Sequence, residues 1–114
     1  MRILIAAAVV AMLAGCVGPA DLVKNDPTIK ATTRKDPKAY ALCVFPKWQS
    51  ARTDSSMAET ENGYRLWAAS NNMTDELLEI KRVGDGSSVI LYQRMAWSMM
   101  MGRQAIESSV RSCL

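Results

Sequence analysis

Three cysteines, eight methionines and no histidine bound the chemistry open to this chain. Without histidine the commonest general base and metal ligand are missing, and neither a Ser-His-Asp nor a Cys-His arrangement can be built. Carboxylate pairs remain as a source of acid–base chemistry, and Glu59, Glu61, Asp75, Glu76 and Glu79 are the candidates. Their positions read as turns or solvent faces of strands, where carboxylates solubilise rather than catalyse. The chain is therefore expected not to be an enzyme, and no catalytic residue, cofactor or metal site is assigned.

The run Met95-Ala96-Trp97-Ser98-Met99-Met100-Met101 has the most unusual composition of the chain. Clustered thioethers suit Cu(I), and at helical spacing Met95 and Met99 would share a face. Exposed, the same residues would form an adaptable protein-binding surface. Buried, they would fill a gap where a strand hands over to a helix. The first residues to consider for partner binding are Trp97, Met99, Met100 and Met101, with Asp85 at a nearby hairpin tip. Trp67 carries the same ambiguity between core anchor and contact residue.

Cys16 follows a short positive start, Met1-Arg2, and an apolar run over residues 3–14. A membrane-spanning helix needs about 20 such residues, so the run is too short to span and fits the apolar region of a secretory signal peptide. Leu13-Ala14-Gly15-Cys16 resembles the lipobox of bacterial lipoproteins at every position. The resemblance covers residues 1–16 only. It implies cleavage after Gly15, lipidation of the Cys16 sulfur and acylation (palmitate) of the new amino group. Val17, rather than aspartate, follows the cysteine, which by the family's sorting rule implies the periplasmic face of the outer membrane. One partner is then the bilayer itself, through acylated Cys16.

The elements that would position any site lie downstream. With 114 residues there is room for one domain, and a net charge of +3 without a dense basic stripe argues against a nucleic-acid partner. Residues 1–15 read as the lipoprotein signal peptide and 16–35 as a lipidated N-terminus and flexible tether. Gly18, Pro19 and Pro27 break structure there, and nineteen flexible residues reach about 24 Å. Residues 36–114 read as a small periplasmic domain. Asp36-Pro37 predicts a helix start, with Tyr40, Cys43, Val44 and Trp48 on one face and Pro46 ending or kinking the helix near Phe45.

Strand signals follow. Asn62-Gly63 predicts a hairpin turn before a strand over 64–68, with a weak partner at 57–61, and residues 71–74 read as loop. Residues 77–83 and 88–95 predict a second hairpin with Asp85-Gly86 at its tip. A helix from Ser98 or Gly102 to Cys113 closes the chain, with Ile106, Val110 and Cys113 on its apolar face. The expected fold is a two-layer α+β domain: N-terminal helix, three- or four-stranded antiparallel sheet, C-terminal helix.

With Cys16 lipidated, Cys43 and Cys113 are left, each on the apolar face of a predicted helix. A disulfide joining the helices fits an oxidising compartment, and two buried reduced thiols are the alternative. The expected function is a small, membrane-anchored, non-catalytic binding or assembly module of the cell envelope, with an envelope protein or peptidoglycan as partner. The alternative is a periplasmic inhibitor of a lytic enzyme, similar in size, disulfide and lipid anchor to the membrane-bound lysozyme inhibitors but without their all-strand pattern.

Overall fold

The computed structural model describes residues 18–114; Cys16 and the signal segment lie outside the described residues. Five antiparallel strands form one sheet in the order β1-β5-β4-β3-β2. The chain order is α1 (Pro19–Leu22), β1 (Ile29–Thr33), α2 (Pro37–Ala51), β2 (Ser55–Thr60), β3 (Gly63–Ser70), β4 (Met73–Val83), β5 (Gly86–Gln93) and α3 (Arg103–Ser112). β1 and β2 are the two edges, and α2 carries the chain across one face between them. The α+β class and antiparallel sheet are as expected, but the sheet has five strands rather than three or four.

The extra strand comes from the predicted tether. Residues 29–33 pair with β5, Ile29 opposite Leu91 and Thr33 opposite Ser87. Ile29 and Ala31 face the core, an alternation too short to register against the flanking lysines and threonines. The C-terminus closes on this edge: Thr33 Oγ1 donates to the Leu114 carbonyl at 2.8 Å, and Lys35 Nζ donates to that of Cys113.

Asp36 caps α2 as its type predicts, accepting from the Ala39 N–H at 2.8 Å. Pro46 does not end the helix, which runs on to Ala51. Both Pro46 and Leu42, whose carbonyl loses its donor, lie on the solvent side, so water can satisfy the orphaned acceptor. Tyr40, Val44 and Trp48 pack with Ile106 and Val110 of α3 onto Leu66, Leu78, Ile80, Val89 and Leu91 of the sheet. The Tyr40 hydroxyl donates to the Val110 carbonyl at 2.7 Å. Beside it a Cys43–Cys113 disulfide joins the two helices.

The hairpin loops sit one residue earlier than predicted. Glu61-Asn62 and Gly84-Asp85 are the two-residue loops, and Gly63 and Gly86 already pair in strands. Gly63 is needed for close approach rather than for its turn: a Cβ there would lie 1.9 Å from the Ile80 carbonyl oxygen. Asn71 and Asn72, predicted loop, form a third tight turn with φ of +50° and +63°, the conformation asparagine tolerates best after glycine. β4 is buried on both faces from Thr74 to Ile80. Leu78 and Ile80 face the helices, while Leu77 points to the opposite face, where α1 touches β4 and buries Leu22.

Candidate functional site

The end of the sheet where β4 begins and β5 finishes holds a buried charge cluster. The β3–β4 register slips between Ala68 and Ala69, so that Asp75 falls in a bulge, a device that re-aims a side chain. Its carboxylate accepts from Ser70 Oγ at 2.6 Å, Arg94 Nη2 at 2.6 Å and Arg52 Nη1 at 3.0 Å. Burial by itself would raise the Asp75 pKa, but the Ser70 hydroxyl and the two guanidinium groups outweigh it and hold the carboxyl below its usual range. Arg52 also forks onto Asp54, at 2.6 Å.

One residue on, Glu76 accepts from Arg103 Nε at 2.6 Å. Burial pushes the Glu76 carboxyl above its usual range, with Arg103 opposing. Its second oxygen has no hydrogen-bond partner among the described residues, nor has either polar atom of Gln93, which stands opposite it on β5.

Arg103 is 3% exposed and spends every N–H it has. Besides Glu76, it donates to the carbonyls of Asp75 (3.2 Å), Arg94 (2.8 Å), Met95 (2.7 Å) and Ser98 (2.9 Å). Gly102, at φ +78°, lets α3 start here: a Cβ would come within 2.8 Å of the Ala51 carbonyl oxygen. The guanidinium thus fixes the backbone of the segment between β5 and α3, including Met95 at a φ of +50°, a conformation costing about 1 kcal/mol or more outside glycine and asparagine.

That segment is the methionine run. It is irregular rather than helical, so Met95 and Met99 do not share a helix face. Its side chains stand in solvent: Trp97 is 80%, Met99 83% and Met101 89% exposed. Met100 is half-buried and with Met101 walls a cleft of about 710 Å³ whose floor is Arg52, Ser70, Asp75 and Arg94. The gap-filling reading of Trp97, Met99 and Met101 is therefore overturned. Asp85 does not join them. It lies beyond the opposite end of β5, an eight-residue strand about 23 Å long.

Asp75, Glu76 and Glu79 are corrected as well: all three are buried and ion-paired, not solvent-facing, Glu79 with Arg65 at 2.6 Å. Sequence reasoning missed Arg52, Arg94 and Arg103 altogether. The available signal was Asn71-Asn72: read as a tight turn, it extends β4 back to Met73 and draws Asp75 and Glu76 into the sheet. A carboxylate saturated by two arginines is poorly suited to proton transfer near neutrality. Among the described residues no group of three or more His, Cys, Asp or Glu is placed to hold a metal ion, and no helix is long and apolar enough to cross a membrane. Compared with known proteins, the chain matches no family model, no curated protein and no solved structure.

Proposed function

We propose that the chain is a bacterial lipoprotein, cleaved after Gly15 and acylated on Cys16, whose domain is a non-catalytic binding module on the periplasmic face of the outer membrane. The observation that carries the binding reading is the 95–101 loop: three large apolar side chains in solvent on a backbone held by a buried arginine. Fixed apolar anchors contribute most at interfaces, because little ordering entropy is lost when they dock. The disulfide supports an oxidising compartment, and the Asp75 carboxylate, saturated by Ser70 and two arginines, supports a structural rather than a chemical task.

Two measurements test this. Labelled palmitate should enter the wild-type chain and not Cys16→Ala. A photo-crosslinking side chain at Met99 should capture an envelope component in cells, while one at Asp85 should not. Palmitate-free wild-type protein, or equal capture from both positions, would overturn the reading.

A further inference from the structure

The described residues begin almost at the cysteine. Gly18 is two positions after Cys16, within about 7 Å of chain. Its N–H donates to Asp21 Oδ2 at 2.9 Å, and the α1 turn that follows buries Leu22 on the sheet face away from α2 and α3. No 24 Å spacer separates the two: the segment read as tether is docked from Gly18 to Leu22 and paired from Ile29 onward.

Where α1 docks also matters. The buried residue beneath that face is Leu77, directly opposite Tyr92. The next residue pair along the strands is Glu76 and Gln93, and Glu76 holds the arginine that fixes the 95–101 loop. The chain leaves α1 and enters the sheet beside the same place, the Thr28 N–H donating to the Leu91 carbonyl. The start of the domain and the exposed loop therefore share one end of the molecule.

Resting on the reading of Cys16 as lipidated, we propose that the partner of the 95–101 loop is the bilayer. In this arrangement Trp97, Met99 and Met101 enter the headgroup–acyl boundary of the leaflet that holds the Cys16 acyl chains. An anchor within about 7 Å of the domain leaves it no room to stand off the lipid surface. The loop's chemistry fits that boundary: residues 95–101 carry no charge, and tryptophan favours the interface because its ring is apolar while its N–H stays hydrated. The pinned backbone presents the three side chains without first having to order them. Two attachments, one covalent and one by insertion, would fix the orientation of the domain, with the cleft over Arg52 and Arg94 opening at the membrane surface.

The test uses the full chain, processed and lipidated in cells, reconstituted into phosphatidylcholine vesicles with acyl chains brominated near the headgroup. Trp97→Phe is the comparison, which isolates Trp97 from the buried Trp48 and half-buried Trp67. Bromine should quench a component of the fluorescence that Trp97→Phe lacks, and reconstitution should cut acrylamide quenching of that component several-fold. Palmitate-labelled, vesicle-bound protein whose Trp97 component bromine leaves unquenched and acrylamide reaches freely overturns the proposal alone, and leaves the loop to a protein partner or a second copy. A chain with no palmitate and no vesicle binding overturns both readings.

Discussion

Replacing Arg103 with methionine removes a guanidinium whose N–H groups meet one carboxylate and four backbone carbonyls. Methionine keeps most of the apolar volume, so the loss is mainly electrostatic. Glu76 is then a buried carboxylate without its ion-pair partner, and breaking such a pair costs about 3–5 kcal/mol. That is a large part of the 5–15 kcal/mol typical of a whole domain, so the urea midpoint should fall by about 1 M or more. The cost should also depend on pH. Burial already raises the Glu76 pKa, and once Arg103 is gone no neighbouring group opposes that rise as strongly. A carboxyl whose folded pKa is raised contributes stability at low pH and loses it as pH rises through the folded pKa. The deficit of Arg103→Met should therefore narrow as the pH falls from neutral into the acid range, where Glu76 takes a proton. Glu76→Gln combined with Arg103→Met should be less damaging than Arg103→Met alone, because no orphan charge remains. Urea unfolding followed by tryptophan fluorescence measures all three. A cost of Arg103→Met below about 1 kcal/mol, with no pH dependence over that range, would refute the reasoning.

Three further outcomes are expected. Reducing the Cys43–Cys113 bridge opens a constraint spanning 70 residues and should cost about 4 kcal/mol, read from unfolding with and without reductant. Asp75 contributes stability that is present above its unfolded pKa, about 3.9, and lost as pH falls through its depressed folded value; Asp75→Asn should be less stable at neutral pH and lose less stability in acid titrations. Leu22→Ala should cost about 2–5 kcal/mol by denaturant unfolding if α1 is part of the fold, whereas a free tether would show no change.

Much of the architecture could be read from local signals. The Asp36 cap, the helical spacing of Tyr40, Val44 and Trp48, and the apolar face of α3 needed only neighbours within a few residues. The even cysteine pair on two apolar helix faces pointed to the disulfide that joins them. Composition alone removed histidine chemistry, and the lipobox-like Leu13-Ala14-Gly15-Cys16 could be read only as sequence, since it lies outside the described residues.

What spacing could not reveal depends on residues far apart in the chain. β1 has too weak an alternation to stand as a strand until β5 offers its edge, and the single turn of α1 is held only where β4 lets Leu22 be buried. Asp75 and Glu76 look like surface carboxylates in the sequence. They are buried because a bulge and three arginines, at 52, 94 and 103, converge on them from the end of one helix, the end of a strand and the start of another helix. The methionine run was the reverse case. Apolar residues near a helix start usually join the core, but here Arg103 spends its side chain holding their backbone at the rim of the sheet, and geometry leaves Trp97, Met99 and Met101 with solvent in front of them.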